Sequence, residues 1–381
     1  MRISILGAGP AGLYAAILLK RRRPDIRLRL VEQNSPDATF GFGVVFSDKA
    51  LAFLADDDPD TAALIEPAME RWSDITVIHR GERIAIDGVG FAAIGRLELL
   101  ALLQRRAAEL GVQPEYGRRI DDPAALEPAD LVIGADGLNS RVRAADPEAF
   151  GESQEYLDNR FVWYGAEREF DTLTQTFLET RFGPMNAHHY RYGPDRSTFI
   201  IEMTPEVFEA AGFEHMAEPD YRAICEECFR EQLDGARLIP NRSVWRQFPV
   251  LRCSRWYHGN RVLVGDALHT AHFSIGSGTR LALEDVVALV GALEAHDWET
   301  ASALPAYQAA REPILEKITA AAHRSAAWYE KFDEHMALPP WEFALSYIRR
   351  AGRLDAGRLR QLAPRFSAAL EERGISLEQA A

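Results

Sequence analysis

The first 32 residues contain the feature that most limits how this chain can fold. Residues 3–6 form a β-like run that leads directly into residues 7–12, Gly-Ala-Gly-Pro-Ala-Gly, which fit the pattern Gly-x-Gly-x-x-Gly. Apolar positions then recur with helical spacing to about residue 22, and residues 28–31 form a second strand-like run before Glu32. A strand, a glycine turn, a helix and a second strand predict a βαβ unit of a parallel sheet.

The glycines of this pattern suit the binding of a nucleotide. Gly7 lets the chain turn sharply out of the strand, Gly9 has no side chain to block a pyrophosphate, and Gly12 lets the helix pack closely on the sheet. The free N–H groups at the start of the helix face the phosphates in such units. Glu32 follows Gly12 by 20 residues. A carboxylate there can hold both hydroxyls of an adenosine ribose, which favours FAD or NAD over NADP. A purely structural βαβ unit is the alternative.

Composition narrows the class of protein. The chain has 381 residues, enough for one large core or two modest ones. Its formal net charge of −14 argues against nucleic acid or an anionic membrane as the main partner. No apolar run is long enough to span a bilayer, and the basic cluster follows the N-terminal apolar run, the wrong order for an export signal. Three cysteines give no disulfide framework, so we expect a cytoplasmic protein without a metal ion.

Two further strands end in aspartate. Residues 131–133 are typical of a buried parallel strand, and Asp136 follows them between two glycines. Residues 261–264 repeat this pattern and lead to Asp266. Ligands of open α/β sheets bind beyond the carboxyl ends of the strands, so both carboxylates are candidate ligand contacts. A glycine-rich loop and a predicted helix over residues 279–295 follow, and the free N–H groups of that helix can meet developing negative charge.

The character of the chain changes between residues 151 and 254. Aromatic residues become dense there, and alternating runs such as residues 197–203 indicate antiparallel strands. We interpret this segment as an inserted sheet that forms one wall of a cavity for an aromatic ligand. Aromatic residues that simply fill the core of a sheet are the alternative. From residue 305 the chain is predicted to be helical to its end, with an interruption at Pro313.

The three glycine and aspartate motifs occur in an order that resembles a known family. Residues 7–12, then 134–137 (Gly-Ala-Asp-Gly), then 265–266 (Gly-Asp) resemble the FAD-dependent single-component aromatic hydroxylases, the para-hydroxybenzoate hydroxylase class, and their span covers most of the chain. Residues 41–47 (GFGVVFS) and 272–279 (HFSIGSGT) look like those of the salicylyl-CoA 5-hydroxylase and anthraniloyl-CoA monooxygenase group. The tryptophan hydroxylase of violacein biosynthesis is similar at the same places.

Together these observations predict an α/β fold of three parts. They are a Rossmann-type FAD-binding domain, an inserted mostly antiparallel β-sheet substrate domain and a C-terminal helical region. The FAD-binding domain is expected to be discontinuous, at residues 1–150 and 255–300. The substrate domain is expected at residues 151–254, with part of residues 70–95 as a candidate addition, and the C-terminal helices at residues 301–381.

The resemblance implies that the protein binds FAD tightly. Glu32 would hold the adenosine ribose, Arg96 the diphosphate region and Asp266 the ribityl chain. Arg96 lies in the first turn of a predicted helix, where a cation opposes the helix dipole, so a diphosphate or a nearby carboxylate would account for it. Asp136 lies in a motif that serves both FAD and the nicotinamide donor. The expected FAD contacts are Gly7, Gly9, Pro10, Ala11, Gly12, Glu32, Gln33, Val45, Arg96, Asp136, Asp266, Gly276, Ser277, Gly278 and Thr279.

The reaction implied by the resemblance is that of an oxidoreductase, a monooxygenase of the EC 1.14.13 type. It would use NADH or NADPH and O2 to hydroxylate an electron-rich aromatic ring through a flavin C4a-hydroperoxide. His269 and His272 lie close in sequence to the flavin loop and are the catalytic candidates, with bracing of the loop as the alternative. The wider family usually carries proline where this chain has His272 and Phe273. The candidate substrate contacts are Phe46, Tyr190, Arg191, Trp245 and Phe273.

Four functions remain open at this point. The first is hydroxylation of an aromatic acyl-CoA, with salicylyl-CoA to gentisyl-CoA as the leading case, in which Arg242, Arg246, Arg252 and Arg255 could hold the CoA phosphates. The second is hydroxylation of a free indole or phenol such as tryptophan. The third is a flavin dehydrogenase or reductase without oxygen insertion, and the fourth is a flavin-bound redox module. We expect a small aromatic substrate, either free or CoA-linked, and a monomer or homodimer.

Overall fold

The fold is described from a computed structural model of residues 1–47, 52–352 and 354–378. In chain order the strands are β1 (Arg2–Leu6), β2 (Arg27–Val31), β3 (Gly43–Ser47), β4 (Glu70–Trp72), β5 (Ile75–His79), β6 (Glu82–Ile86), β7 (Phe91–Gly95), β8 (Leu131–Gly134), β9 (Glu152–Tyr156), β10 (Arg160–Ala166), β11 (Leu173–Thr180), β12 (Gly183–Gly193), β13 (Arg196–Met203), β14 (Leu238–Ile239), β15 (Pro249–Cys253), β16 (Tyr257–His258) and β17 (Arg261–Leu263).

The helices are α1 (Pro10–Arg22), α2 (Ala52–Asp57), α3 (Pro59–Ile65), α4 (Arg96–Glu109), α5 (Arg141–Ala144), α6 (Pro147–Phe150), α7 (Pro205–Ala211), α8 (Glu218–Cys228), α9 (Arg230–Leu233), α10 (Gly278–Ala295), α11 (Thr300–Tyr329), α12 (Phe332–His335), α13 (Pro340–Arg349), α14 (Ala356–Leu362) and α15 (Pro364–Glu372). None of the helices in the part of the chain that the structure describes is both long enough and apolar enough to cross a membrane.

One sheet carries the glycine motif. Its strand order is β16-β17-β8-β1-β2. Strand β1 pairs in parallel with β2 and β8, β17 pairs in parallel with β8, and β16 closes the edge in antiparallel orientation. The predicted βαβ unit is therefore confirmed, as are the strands that precede Asp136 and Asp266. Because these strands run parallel, their carboxyl ends meet at one edge of the sheet.

A second sheet of seven strands stands opposite this edge. Its order is β14-β10-β13-β12-β11-β5-β6, and all of its pairings are antiparallel except β11 with β5. Strands β5 and β6 come from residues 75–86, far from the rest of the sheet in sequence. Two smaller sheets, β3-β7-β4 and β15-β9, lie beside the two large ones.

The two faces of the seven-stranded sheet are buried by different parts of the chain. One face packs on the C-terminal helices through Phe177, Tyr329 and Phe343. The other face packs on α7–α9 through residues such as Phe199 and Phe229. Successive side chains on a strand point to opposite faces, so neighbouring residues of β12 belong to different environments.

Helix α11 runs without a break from Thr300 to Tyr329 and contains both Pro305 and Pro313. The predicted interruption at Pro313 is therefore wrong. A proline inside a helix removes one backbone hydrogen bond, but tertiary packing can compensate for that loss. Helix α11 is buried against α10 just before this proline, where Arg311 forms an ion pair with Asp285.

Candidate active site

A cavity of about 370 Å³ lies where the carboxyl ends of the parallel strands approach the seven-stranded sheet. Its wall combines the glycine turn after β1, the start of α10, one face of β12 and the end of α13. Twelve of the residues predicted as cofactor or substrate contacts line it: Gly9, Pro10, Ala11, Val45, Arg96, Tyr190, Asp266, Phe273, Gly276, Ser277, Gly278 and Thr279. The other predicted site residues lie outside this wall: Gly7, Gly12, Glu32, Gln33, Phe46, Asp136, Arg191, Trp245, His269 and His272.

The three glycines of the motif differ in what surrounds them. A Cβ atom on Gly12 would lie 1.8 Å from the carbonyl oxygen of Gly7, and Gly7 itself has a φ of +98° that disfavours other residues. A Cβ atom on Gly9 would meet no described protein atom within 4 Å. Gly7 and Gly12 are thus required by the fold of the chain itself. Gly9 instead leaves open space at the end of the cavity, beside the start of α1.

Glu32 is held beside the glycine turn. Its Oε2 accepts a hydrogen bond from the backbone N–H of Ala8 at 2.8 Å, and its Oε1 accepts from the backbone N–H of Asn34 at 2.9 Å. Gln33 is exposed next to it. The carboxylate is therefore fixed one residue from Gly9, at the place where the βαβ unit would bring a ribose.

Arg96 and Asp266 face the cavity and carry opposite charges. Arg96 is half-buried at the start of α4, and among the described residues its guanidinium has no hydrogen bond or ion pair. Burial lowers the pKa of Arg96, and the charge of Asp266 opposes that shift. Enclosure by the surrounding chain raises the pKa of Asp266, and Arg96 opposes that shift in turn. Asp266 is exposed on the cavity side, and neither side chain has a hydrogen-bond or ion-pair partner among the described residues, so both offer polar atoms to a ligand.

The start of α10 contributes backbone N–H groups. Helix α10 begins at Gly278, its N-cap residue Ser277 makes no side-chain hydrogen bond to it, and no acidic residue lies in its first turn. Because the first N–H groups of a helix have no partner within the helix, they carry partial positive charge. Gly278 and Thr279 line the cavity, so this charge is available to an anionic ligand.

Both histidines predicted as catalytic candidates are buried next to the cavity wall. Nε2 of His269 donates a hydrogen bond to the carboxylate oxygen Oδ2 of Asp285 at 2.7 Å. The Nδ1 of His272 lies 2.8 Å from the hydroxyl oxygen of Ser274, which in turn contacts Ser325 at 2.7 Å. Burial lowers the pKa of His272 to about 4, against the opposing effect of Glu202. The structure thus gives both rings partners that brace the loop around residues 265–275.

The candidate substrate contacts fall in different places. Tyr190 lines the cavity and donates a hydrogen bond to the carbonyl oxygen of Gly43 at 3.0 Å. Phe46 is buried in the core of the parallel sheet. Arg191 pairs with Glu70 at 2.9 Å. Trp245 packs on α7–α9, with its ring stacked 5.3 Å from that of Phe213, on the far side of the seven-stranded sheet from the cavity.

Several cavity residues were not singled out from the sequence. Trp163, Gln175 and His188 line the cavity from the seven-stranded sheet, and Tyr347 and Arg350 line it from the end of α13. His188 belongs to the polar and aromatic run at residues 188–192, whose two faces look alike in sequence. The segment of α13 carries no motif that could have marked it.

These residues fit FAD by their own geometry. Gly9 opens a space that a Cβ atom would fill, Arg96 is a cation without an ion-pair partner in the described part of the chain, and Asp136 has a buried Oδ1 without a hydrogen bond. Among the same described residues, no three His, Cys, Asp or Glu side chains are grouped as a metal ion would require. The donor set therefore suits a nucleotide with a diphosphate and hydroxyl groups.

Comparison with known proteins agrees with this fit. Residues 98–322 match the model of the FAD binding domain family. The chain is 39% identical to a salicyloyl-CoA 5-hydroxylase from Streptomyces sp over 92% of this chain and 70% of that protein. It is 37% identical to a 3-hydroxy-4-methyl-anthranilyl-[aryl-carrier protein] 5-monooxygenase from Streptosporangium sibiricum, over 98% of this chain and all of that protein.

The fold also resembles that of a solved oxygenase. The tetrameric form of 2-methyl-3-hydroxypyridine-5-carboxylic acid oxygenase superposes with a TM-score of 0.70 at 20% identity, over 92% of this chain and 95% of that one. The chain belongs to the FAD binding domain family. It is an FAD-dependent monooxygenase that hydroxylates aromatic substrates, an enzyme class for which NAD(P)H and O2 are the typical co-substrates.

Different residues of the chain have different roles in this chemistry. Bound FAD supplies the redox chemistry that activates oxygen. The N–H groups at the start of α10 would stabilise negative charge on bound FAD. The apolar and aromatic wall around Trp163 and Phe273 would orient a flat ring and exclude water from it. Arg350 holds α13 against this wall, because its Nη2 donates a hydrogen bond to the carbonyl oxygen of Ser274 at 3.0 Å.

Proposed function

We propose that this enzyme hydroxylates the ring of an aromatic acyl-CoA thioester, with conversion of salicylyl-CoA to gentisyl-CoA as the leading case. The observation that carries the proposal is a row of exposed arginines, Arg242, Arg246 and Arg252, in the stretch that also supplies Phe248 and Pro249 to the cavity wall. Among the described residues none of the three guanidinium groups pairs with a carboxylate.

An acyl-CoA requires two kinds of site. Its ring needs an apolar cavity and its phosphates need cations outside that cavity, because a phosphate group is costly to bury without a partner. The side chain of Arg242 lies 5.0 Å from the ring centre of Phe40, beside the segment that packs on Trp163 of the cavity wall. The similarity to a salicyloyl-CoA 5-hydroxylase supports the same substrate class.

Arg255 differs from the other three arginines. Its guanidinium donates hydrogen bonds from Nε and Nη2 to the carbonyl oxygens of Ala149 and Glu148, so it is tied to α6 rather than free to reach a phosphate. It therefore serves as a matched control for the phosphate-binding role of the row. We assign the enzyme a cytoplasmic setting and a monomeric or homodimeric state as part of the same proposal.

The first test follows NADH and NADPH oxidation by the purified flavoprotein, with and without salicylyl-CoA. We expect a large stimulation, oxygen consumption that matches product, and a product heavier by one oxygen atom. Replacement of Arg242, Arg246 and Arg252 together by glutamine should raise the KM for salicylyl-CoA by roughly 10-fold or more, with a weaker salt dependence, because phosphate pairing is lost. Arg255→Gln should leave this KM unchanged.

Other outcomes would assign another substrate. Stimulation by tryptophan or a free phenol, but not by salicylyl-CoA or anthraniloyl-CoA, would make the enzyme a hydroxylase of free aromatic compounds. An arginine variant with an unchanged KM and salt dependence would remove the row from substrate binding, even if salicylyl-CoA is hydroxylated.

A further inference from the structure

His188 and Glu202 form an unusual pair in the wall of the cavity. They lie on the neighbouring strands β12 and β13, and Nε2 of His188 is 3.6 Å from Oε2 of Glu202. Glu202 is 1% exposed and His188 is 4% exposed. Neither of the two facing atoms has a hydrogen-bond partner among the described residues. A buried carboxylate oxygen and a buried imidazole nitrogen without hydrogen-bond partners are costly to stability, which makes a functional role the simpler explanation.

The carboxylate of Glu202 is held in place from its other side. Its Oε1 accepts a hydrogen bond from Nδ2 of Asn159 at 3.0 Å, and the same Nδ2 donates to the carbonyl oxygen of Tyr329 at 2.8 Å. The plane of the His188 imidazole is fixed by two ring contacts. The imidazole stacks on the ring of Tyr329, with centroids 4.9 Å apart, and makes a T-shaped contact with the ring of Phe273, with centroids 5.3 Å apart. Both groups are thus fixed before a ligand arrives.

The orientation of the His188 ring leaves Nδ1 without a protein partner and therefore available to a ligand. Nε2 faces Glu202, and Nδ1 forms no hydrogen bond with the described residues although the side chain lines the cavity. With the proton on Nε2, towards the carboxylate, the lone pair of Nδ1 is free to accept a proton.

We propose that His188 is the catalytic base that takes the proton from the ring hydroxyl of the substrate, and that Glu202 is the positioning residue behind it. The O–H bond of the substrate breaks, an N–H bond forms at Nδ1, and the ring is left as a phenolate beside an imidazolium that Glu202 stabilises. No oxidation state changes in this step. A phenolate ring is richer in electrons than a phenol, so it is a better target for oxygen transfer. The proposal rests on an aromatic substrate with a ring hydroxyl in this cavity.

Several titratable groups surround His188 and Glu202. The titratable groups that face the pair are His272 in the loop before α10, Tyr329 and Glu330 at the end of α11, and Arg350 after α13. Burial and the charge of Arg350 lower the pKa of His188 to about 3, so the ring is neutral, with a lone pair on one nitrogen, before the substrate hydroxyl is bound. A phenolate formed next to the imidazole raises its pKa again, because opposite charges favour the protonated form.

The test compares a hydroxyl-bearing with an amino-bearing substrate, salicylyl-CoA with anthraniloyl-CoA. A neutral ring amine already donates electrons to the ring and needs no deprotonation. In His188→Gln we expect roughly 100-fold lower kcat for salicylyl-CoA, within the usual range for loss of a general base, and a much smaller loss for anthraniloyl-CoA. The loss for salicylyl-CoA should shrink as the pH rises towards the pKa of the hydroxyl itself. Glu202→Gln should show the same selectivity in weaker form.

His189→Gln is the matched control. His189 is the next residue on β12 but lies on the opposite face of the sheet, where its Nε2 is 2.9 Å from the hydroxyl oxygen of Thr176. The His189→Gln variant should leave the ratio of the rates for salicylyl-CoA and anthraniloyl-CoA unchanged. The flavin content of each variant reports correct folding, and the ultraviolet spectrum of bound salicylyl-CoA reports directly whether its hydroxyl is ionised.

Equal losses for both substrates in His188→Gln, with no change in the ionisation of the bound hydroxyl, would overturn the proposal and leave His188 a packing residue. If the wild-type enzyme does not accept salicylyl-CoA, the acyl-CoA assignment fails by itself. The ratio of the rates for the hydroxyl-bearing and the amino-bearing substrate is then measured with free salicylate and anthranilate. Failure of the acyl-CoA assignment can thus be distinguished from failure of the role proposed for His188.

Discussion

Asp285 and Arg311 form a buried ion pair, with Oδ1 and Nε 2.9 Å apart, that joins α10 to α11 behind the cavity. The second oxygen of Asp285 accepts a hydrogen bond from the backbone N–H of Gly265 at 3.1 Å and contacts Nε2 of His269 at 2.7 Å. Burial acts to raise the pKa of Asp285, but His269 and Arg311 hold it below its usual range. One carboxylate thus fixes the turn that presents Asp266 to the cavity.

Replacement of Asp285 by alanine should therefore destabilise the protein and loosen FAD. We expect the free energy of unfolding to fall by about 3 kcal/mol, because the N–H of Gly265 and Nε2 of His269 lose a buried acceptor while Arg311 keeps only its ion pair with Glu284 at 2.8 Å. Denaturant unfolding and the flavin content of the purified variant measure the two effects. Glu109→Ala, which removes an exposed partner of Arg106, is the control and should change neither. A fully stable Asp285→Ala variant would contradict this account of the turn.

Gly9 and Gly12 should respond differently to the same substitution. Gly12→Ala should fail to fold or be strongly destabilised, because its Cβ atom would lie 1.8 Å from a backbone oxygen. Gly9→Ala should fold, with an apoprotein stability within about 0.5 kcal/mol of wild type, since no described protein atom lies within 4 Å of the new Cβ atom. Its dissociation constant for FAD should rise roughly 10-fold or more, because the methyl group occupies the place offered to the pyrophosphate.

Flavin fluorescence titration of each apoprotein measures this difference, and thermal unfolding of the apoprotein measures stability. If Gly9→Ala binds FAD as tightly as wild type, the open space at Gly9 is not the pyrophosphate site.

Arg96→Gln should weaken FAD binding without harm to the apoprotein. Loss of one charged hydrogen-bond donor typically costs about 1.5–3 kcal/mol, so the dissociation constant should rise roughly 10- to 100-fold. No ion pair among the described residues is broken by this substitution. It also removes a positive charge that opposes the dipole of α4, so the unfolding midpoint of the apoprotein should not fall. Arg105→Gln, on the same helix, is the control for a general effect of charge. A large loss of apoprotein stability in Arg96→Gln would instead assign this arginine a structural role.

The stability of the protein should depend on pH through His272. Its pKa is about 4 in the folded state and close to 6.5 when unfolded, so above pH 6.5 the ring is neutral in both states. Below pH 6.5 the unfolded state binds the proton more readily, and the free energy of unfolding falls as the pH is lowered. Between pH 6.5 and pH 5 this contribution is on the order of 2 kcal/mol.

Denaturant unfolding at several pH values measures this slope. Burial raises the pKa of Glu202, which acts in the opposite direction, so the comparison with His272→Gln isolates the contribution of the histidine. The variant should lose less stability on acidification than wild type. His215→Gln, at an exposed position, should follow wild type. Equal slopes for wild type and His272→Gln would mean that His272 does not titrate with folding.

The local pattern of the chain was sufficient to predict the nucleotide half of the fold. A strand, a glycine turn and a helix are determined by neighbouring residues, and the cramped positions of Gly7 and Gly12 explain why only glycine suits them. The same holds for the strands before Asp136 and Asp266. Pro313 shows the limit of such reasoning, because packing of α11 on α10 maintains a helix that the local rule would interrupt.

The other half of the cavity was decided by tertiary structure. His188 and His189 are equivalent in the sequence, and only the placement of β12 between two different layers sends one ring to the cavity and the other to α7–α9. Trp163 and Trp245 are separated in the same way. Arg350 reaches the wall because α13 folds back on the seven-stranded sheet, a contact between residues far apart in the chain. Periodicity determines which residues share a face, but the partner of that face depends on long-range packing that no local pattern contains.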